Sequence, residues 1–553
     1  MLKTIDLFAG AGGLSLGFEM TGEFELVAAA EINKNARATY KENIAKGKEN
    51  FVFIDNVKGY DFAGLNQRIG GIDIVIGGPP CQGFSNANRQ KNHLISMNNE
   101  LVKEFFRAIK EIRPMAFVME NVSMLRSDTH RFYQSKRDNE EIQMLIANGF
   151  DIPQREDTLY ISDKIYENIN FEEIEKINLS KFTINRELFQ LLNVLRKNIG
   201  NKKRLPVYIE KHTDEMIKLI SKDIKSEEDG NVVLDNSVIS RLKIILNALS
   251  SVKLPNERDL NYKEKLCELE KNIIDQTETI EYILSLQKMI KTMDEIEDNA
   301  LIGKYGVSQE GKLIYKVNSY SVNDYVNAIL GGAYKQVGNT VNAEWFGVPQ
   351  DRRRHIVLGL RKDLYPDVDV KLPEKPEQFE ATTVWQAIAD LADYEEGYTK
   401  DYAEIPYRED ELSDYAKQMR RGSSSVKNHL TTKTTETALK RFEKIEKGKN
   451  FHSLSADMKS TYSNPERTQN TIYLRLEPDK TSGTVVNVRK SMWIHPTKDR
   501  AVTVREAARL QSFPDSFVFI GTKDSQFQQV GNAVPPLLAK EIANQLLKYI
   551  KNE

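Results

Sequence analysis

Short apolar runs, each closed by a turn, set the pattern of the first 150 residues. They occupy residues 4–8, 24–30, 51–54, 72–76 and 116–119. Continuous apolar runs of this length are typical of buried parallel strands, because both faces of such a strand are covered. Residues 98–112 instead repeat their apolar positions at a helical period and stop before Arg113 and Pro114. Strands that alternate with helices predict a doubly wound, Rossmann-like α/β sheet.

This pattern is interrupted in the middle of the chain. Residues 151–330 are rich in Lys, Glu, Asn and Ile, and residues 263–298 have the apolar spacing of one or two long amphipathic helices. We interpret 151–330 as a mostly helical insertion, which could be a solvated spacer, a partner-binding element or a clamp on DNA. The α/β pattern resumes near Val337, with a strand expected at 356–360.

A second change follows a proline-spaced linker at 366–376. From there to about residue 495 the chain is polar and basic, which is typical of DNA-contacting loops or of a loosely packed surface domain. Thr503 and Glu506 have the spacing of a helix capping box, and an apolar helix is expected at 537–550. The predicted organisation is therefore an α/β domain at 1–150 and 331–365, the insertion at 151–330, a smaller domain at 366–525, and a segment at 526–553 that returns to the α/β domain.

Composition limits the classes of partner and compartment. The 553 residues are 40% hydrophobic and 29% charged, as expected for a globular protein of two or more domains. The net charge is -2, so a nucleic-acid surface must be a local patch. No apolar run reaches membrane-spanning length and no signal-peptide pattern occurs, so we expect a cytoplasmic protein without membrane contact. The two cysteines, Cys81 and Cys267, fit a reducing compartment, and the seven scattered histidines predict no metal site.

The first candidate for chemistry is Cys81, in the turn at 77–85. Two glycines and two prolines end the strand at 72–76 directly before it. The cysteine therefore follows the carboxyl end of a strand, where open α/β sheets place their reactive groups. A nucleophile suits this position, although a buried structural cysteine is the alternative.

Charged residues at two further strands could share that crevice. Glu120 ends the strand at 116–119, and parallel neighbouring strands would bring it towards Cys81. In an extended segment Gln350, Arg352 and Arg354 would point to one side, where guanidinium groups suit phosphates and a polar base edge. The alternatives are a strand-end carboxylate without a task and ordinary surface charge.

A glycine-rich turn at 9–13 joins the first strand to a helix, as at the nucleotide-binding entrance of a doubly wound sheet. Glu31 ends the second strand, where an acid can accept both hydrogen bonds of a ribose diol. Asp55 ends the third strand and could bind an adenine amino group. A solvated helix cap is the alternative role for Glu31.

Taken together and in this order, these motifs resemble the DNA cytosine-5 methyltransferase family, in its bacterial restriction-modification type. The matching stretches are 6–19, 77–85, 120–122, 350–354, 500–517 and 529–536. The resemblance covers roughly the first 150 and the last 220 residues, and residues 151–330 depart from the compact bacterial pattern. It implies that S-adenosyl-L-methionine is bound by Phe8, Gly10, Gly12, Glu31, Asp55, Pro79, Asn532 and Val534.

The resemblance also implies a mechanism and partners. Cys81 would add to carbon-6 of cytosine, Glu120 would protonate or hydrogen-bond nitrogen-3, and Arg354 with Arg352 would bind the carbonyl oxygen and a flanking phosphate. The substrate would be double-stranded DNA, with the target base flipped out and the smaller domain reading the major groove. We expect a monomer in the bacterial cytoplasm, with a cognate restriction endonuclease as a possible partner.

Two other classes stay open. A tRNA cytosine-5 methyltransferase would share the cofactor site and Cys81, but the long polar segment between Arg354 and Arg500 argues against it. A non-catalytic DNA-binding regulator is disfavoured because Cys81, Glu120 and Arg354 are all present. The sequence does not give the DNA recognition site or the role of 151–330.

Overall fold

The computed structural model describes residues 1–80, 98–121, 131–163, 178–225, 234–253, 260–397, 404–408, 411–462 and 464–551. Cys81 lies outside the described residues. The described residues fall into two compact units, one built from 1–121 and 322–551 and the other from 131–321, each with the gaps just given. No helix in these ranges is long and apolar enough to cross a membrane.

The strands of the described residues are numbered in chain order. They are β1 Leu2–Leu7, β2 Phe24–Ala30, β3 Val52–Ile54, β4 Ile74–Gly77, β5 Ala116–Asn121, β6 Arg131–Tyr133, β7 Gln154–Ser162, β8 Gly303–Val307, β9 Leu313–Ser321, β10 Tyr334–Asn342, β11 Arg353–Arg361, β12 Ile405–Pro406 and β13 Ser425–Val426.

The α-helices of the same residues are numbered in the same way. They are α1 Gly13–Glu19, α2 Lys34–Tyr40, α3 Phe62–Ile69, α4 Asn98–Ile112, α5 Lys136–Ala147, α6 Arg186–Asn198, α7 Arg204–Lys225, α8 Asn236–Ser250, α9 Tyr262–Ile274, α10 Thr277–Asp298, α11 Val322–Leu330, α12 Val384–Ile388, α13 Asp414–Arg420, α14 Glu436–Phe442, α15 Ala456–Lys459, α16 Val488–Ser491, α17 Val504–Leu510, α18 Lys523–Asn532 and α19 Pro536–Ile550.

A seven-stranded sheet in the order β10-β11-β5-β4-β1-β2-β3 forms the first unit. The five strands from β3 to β5 in this order are parallel, whereas β11 runs antiparallel to both β5 and β10. The strand order reverses between β1 and β4, and such a switch point opens a crevice at the carboxyl ends of the strands. The doubly wound α/β class predicted from the apolar runs is confirmed.

Helix α19 closes the first unit by packing on α1. A Cβ atom added to Gly17 would lie 2.3 Å from the Cβ of Ala539 and 2.5 Å from the carbonyl oxygen of Pro536. Glycine at this position therefore permits a helix contact that no larger residue allows. The last helix of the described residues therefore contacts the first βα element of the chain.

The sequence predicts a separate smaller domain at 366–525, but the described residues of this segment share a hydrophobic core with the sheet. Val384, Leu430 and Val485 belong to the same hydrophobic core as Ile76 and Val118 of β4 and β5. The polar composition of the segment hid these apolar positions, which are far apart in sequence and meet only in the folded chain.

The second unit also differs from the predicted insertion. It spans 131–321 instead of 151–330, and α11 belongs to the first unit. It contains an antiparallel sheet in which β7 lies on one side of β9, and β6 and β8 lie on the other. The long helices expected at 263–298 are present as α9 and α10. The strand β9 was not predicted and was included in the helical insertion. Its side chains alternate, with Tyr315 and Val317 buried and Lys316 exposed. Helices and strands both place apolar residues on one face, so this short alternation was not recognised as a strand.

Candidate active site

The carboxyl ends of β1 and β4 lie side by side at the switch point. The amide of Gly78 donates to the carbonyl oxygen of Leu7 at 3.2 Å. The buried side chain of Asn121, at the end of β5, donates to the carbonyl oxygen of Pro79 at 3.1 Å. Gly78 and Pro79, three and two positions before Cys81, are thus tied to the neighbouring strands β1 and β5.

Glu120 faces the start of that loop. A Cβ atom on Gly78 would lie 3.1 Å from Oε2 of Glu120, so glycine allows the chain to pass close to this carboxylate. Nε of Arg354 is 2.8 Å from Oε1 of Glu120, and both side chains are nearly covered, at 16% and 14% exposed. Glu120 and Arg354 are brought together because β11 pairs with β5, with Ile356 opposite Glu120. A partly buried ion pair of this kind holds both groups in fixed orientations.

Arg352 does not join this pair, and a contact with a base or phosphate, as expected from the sequence, does not fit its position. Its side chain is 1% exposed and donates to the carbonyl oxygens of Val485 at 2.8 Å and Gly531 at 2.9 Å. Burial and the nearby Arg354 charge hold the pKa of its guanidinium well below its usual range. Regular alternation begins only with β11 at Arg353, so it does not govern the direction of Arg352.

The glycine turn has the shape that a small ligand needs. Phe8, Gly10 and Gly12 all have positive φ angles, of 63°, 56° and 97°. Space is open where a side chain of Gly10 would lie, so a ligand can approach the backbone there. The amide of Gly10 donates to Oε2 of Glu31 at 2.9 Å, and the amide of Asn33 donates to Oε1 at 2.6 Å. These two hydrogen bonds orient the Glu31 carboxylate, and each of its oxygens can accept a further hydrogen bond from a ligand.

Asn532 is the last residue of α18, and Val534, two positions further on, contacts the glycine turn. The carbonyl oxygen of Val534 would lie 2.3 Å from a Cβ atom on Gly13, so these backbones are in close contact. The exposed side chain of Asn532 accepts a hydrogen bond from Gln528 at 2.7 Å. The end of α18 thus lies beside the N-terminus of α1, about 520 positions away in the sequence.

Asp55 has another partner. It follows β3 directly, but its side chain is 86% exposed and forms an ion pair with Arg37, whose guanidinium lies over the ring of Phe53. A contact with adenine at Asp55 would have to compete with this ion pair.

A buried polar chain behind the turn was missed in the sequence. Oγ of Ser15 donates to Oδ2 of Asp6 at 2.6 Å and lies 2.7 Å from the hydroxyl of Tyr40. Burial raises the pKa of the Asp6 carboxyl to about 7. The signal was present, since Asp6 is an acid between the apolar residues Ile5 and Leu7 of a predicted strand.

The described residues contain no group of three or more His, Cys, Asp or Glu side chains placed to hold a metal ion. The absence of a metal from the protein stays a prediction.

Several known proteins are similar in sequence to this chain. A model of the family of C-5 cytosine-specific DNA methylases matches residues 2–326 and 311–548. The type II methyltransferase M.XorII of Xanthomonas oryzae is 26% identical over 99% of this chain and 85% of its own length. The DNA (cytosine-5-)-methyltransferase M.ApeKI of Aeropyrum pernix is 25% identical over 99% and 98%.

Shorter matches and a solved structure agree with these. The type II methyltransferase M.DdeI of Desulfomicrobium norvegicum is 34% identical over 41% of this chain and 59% of its own length. A putative DNA modification methyltransferase encoded within an E. coli prophage has the same fold, with a TM-score of 0.53 at 18% identity over the whole of both chains. Because the family model spans nearly the whole sequence, this protein belongs to the family of C-5 cytosine-specific DNA methylases and is a methyltransferase enzyme.

Proposed function

We propose that this enzyme transfers a methyl group from S-adenosyl-L-methionine to carbon-5 of a cytosine within a specific sequence of double-stranded DNA. The observation that carries the proposal is the Glu120–Arg354 ion pair beside Gly78, three positions before Cys81. It puts a fixed acid and a fixed cation at the crevice where the Cys81 loop begins.

The glycine turn fits the cofactor. Gly10 leaves open space beside its backbone, and Glu31 presents an oriented carboxylate to the same turn. Glu31 would accept from the ribose hydroxyls, with Phe8, Gly10, Gly12, Pro79, Asn532 and Val534 around the cofactor. Asp55 would contribute only if it exchanged Arg37 for the adenine amino group. The cofactor supplies an electrophilic methyl group.

The protein groups would make cytosine reactive enough to take that methyl group. The Cys81 thiolate would form a bond to carbon-6, and the displaced electron pair would make carbon-5 nucleophilic. Glu120 would give a proton or a hydrogen bond to nitrogen-3, while Arg354 would hold Glu120 and the carbonyl oxygen at carbon-2. Carbon-5 would then take the methyl group, and nitrogen-3 would return its proton to Glu120. A water molecule from solvent would accept the carbon-5 proton as the sulfur–carbon bond breaks and the Cys81 thiolate is released. Arg352 would support the site only by fixing the chain before β11.

The substrate geometry explains the rest of the chain. Carbon-5 and carbon-6 cannot be reached inside a duplex, so the cytosine would be flipped out, at a cost of a few kcal/mol. Residues 366–525 would read the major groove around it. By analogy with the type II relatives, we propose a bacterial cytoplasmic enzyme that protects DNA from a cognate endonuclease.

Bisulfite sequencing of DNA from a host that expresses the protein tests this function. The cytosine in one sequence context should resist bisulfite conversion in every copy, and Cys81→Ser should abolish this resistance. DNA with 5-fluorocytosine in that context should form a covalent adduct with the native protein and none with Cys81→Ser. Unmethylated DNA together with methylated tRNA would contradict the proposal.

A further inference from the structure

Charge is distributed unevenly over the second unit. Residues 178–225, which include α6 and α7, carry eleven Lys and Arg against five Asp and Glu. Residues 262–298, which form α9 and α10, carry five against ten. In a chain whose net charge is -2, the positive charge of this unit is concentrated on one pair of helices.

The turn between α6 and α7 is held rigidly. Oδ1 of Asn201 accepts from the amides of Lys203 at 3.2 Å and Arg204 at 3.1 Å, which caps α7. Leu195 and Leu205, on either side of the turn, are buried in the core of the unit. The basic side chains at this turn therefore project from a fixed backbone.

The positive charge continues along α7. The buried face of this helix carries Leu205, Ile209, Met216 and Ile220. Arg204, Lys211 and Lys218 are exposed and seven residues apart, so they lie within about 40° of one another on the opposite face. They span about 21 Å along the axis at 1.5 Å per residue.

Most of the exposed cations on α6 and α7 have no carboxylate partner among the described residues. We define the basic ridge as six exposed side chains: Lys197, Lys202, Lys203, Arg204, Lys211 and Lys218. In the part of the chain that the structure describes, none of the six forms an ion pair. Arg196 next to the ridge is paired with Glu281, and on the same helix Glu215 is directed to His212. Asp214 and Glu215 also lie on the solvent side of α7, so the ridge is continuous only at its turn end.

We propose that the basic ridge binds the sugar-phosphate backbone of duplex DNA. This inference rests on the proposed function, which brings such DNA to the enzyme. Like charges on a rigid turn repel one another, and a row of phosphates removes that repulsion. Duplex DNA carries one negative charge per about 1.7 Å of its axis, so a 21 Å ridge faces several phosphates at once. Contacts of this kind add affinity without reading sequence.

Salt dependence of DNA binding tests the proposal with two matched variants of the full chain. The ridge variant is K202Q/K203Q/R204Q/K211Q. The control, K263Q/K271Q/K288Q/K304Q, removes four exposed lysines from the same unit, none of which is ion-paired in the described residues. Both variants change the net charge equally. Fluorescence anisotropy with a 40-base-pair duplex of random sequence, over a range of NaCl concentrations, gives the slope of log K against log salt.

The ridge variant should have a slope shallower by about 3.6, since it loses four phosphate contacts and each contact contributes about 0.9. Its affinity at about 0.1 M salt should fall at least tenfold, while the control slope should change by less than about 1. The methylated sequence should stay the same. Equal slopes for the two variants would overturn the proposal. So would a fall in affinity of the ridge variant for a single-stranded RNA probe without a fall in its affinity for the duplex. A native protein that binds DNA but methylates none would instead overturn the proposed function and leave the ridge in place.

Discussion

At the scale of single residues, the proposed chemistry depends on Glu120 and Arg354. Each is partly covered and each orients the other, so we expect the pair to be in place before a base arrives. Arg361, at the other end of β11, forms an ion pair of similar length, 2.9 Å, with Asp363. The chain thus contains its own control for the effect of an Arg–carboxylate pair on this strand.

We expect Glu120→Gln to lower single-turnover methylation by about a hundredfold or more, because the amide keeps the shape but cannot supply a proton. Asp363→Asn should leave the rate within about twofold of the native rate. Single-turnover transfer of labelled methyl groups to DNA measures both. A native rate for Glu120→Gln would remove this residue from the mechanism.

Glu31 belongs to the same scale. Glu31→Ala should weaken binding of S-adenosyl-L-methionine about tenfold to a hundredfold, the range expected for lost hydrogen bonds to a charged group. Glu25→Ala, on the strand β2 that precedes Glu31, is the control and should bind normally. Calorimetry gives the affinities, and thermal unfolding shows whether either protein is misfolded. Unchanged affinity for Glu31→Ala would mean that the ribose lies elsewhere.

Helix α17 is the element that joins the polar segment to the sheet. All seven of its residues are buried, including Arg505, Glu506 and Arg509. The capping box predicted from the sequence is present between Thr503 and Glu506. Glu506 also pairs with Arg500, and Arg509 pairs with Asp515. A buried charge that loses its partner destabilises the fold, so α17 is stable only where Arg500 and Asp515 pair with its charged side chains.

The pH dependence of stability should report on this element. Burial lowers the pKa of His495, which faces Glu506, to about 4. The unfolded chain therefore takes up a proton between about pH 6.5 and 4 that the folded chain does not, and stability is lost as the pH falls through this window. Asp6 acts in the opposite sense, since its raised pKa makes the folded chain take up a proton first.

We therefore expect the Tm of His495→Gln to fall less than that of the native protein when the pH is lowered from 7 to 5. Asp6→Asn should lose more over the same interval, because it lacks the compensating uptake. Thermal unfolding of the three proteins at both pH values makes the comparison. Parallel curves would show that neither group titrates differently on folding.

At the scale of the whole molecule, target choice and DNA affinity are expected to reside in different parts of the chain. The 366–495 segment shares its core with the sheet through Val384, Leu430 and Val485, whereas the basic ridge lies in the second unit. An exchange of 366–495 with a relative must therefore preserve those apolar positions to fold.

Such a chimera should methylate the relative's sequence, read by bisulfite sequencing of its own plasmid. The control is an exchange of α9 and α10, which carry no part of the ridge and should leave the target unchanged. Retention of the original target by the first chimera, or a new target in the second, would contradict this division.

The amino-acid sequence by itself determined the family, the doubly wound sheet and the positions of Glu31 and Glu120 near the carboxyl ends of its strands. Apolar runs and the turns that end them are local features, so they can be recognised without knowing what the strands pack against. The motifs kept their order, and the family match confirms what they indicated.

Only the tertiary structure decided which charged groups meet. Arg354 pairs with Glu120 because β11 lies against β5, while Arg352, two positions earlier, is buried under Val485 and Gly531. It also moved the boundaries of the second unit to 131 and 321 and revealed the ridge on α7. These features depend on contacts between residues far apart in sequence, and local periodicity contains no information about such partners.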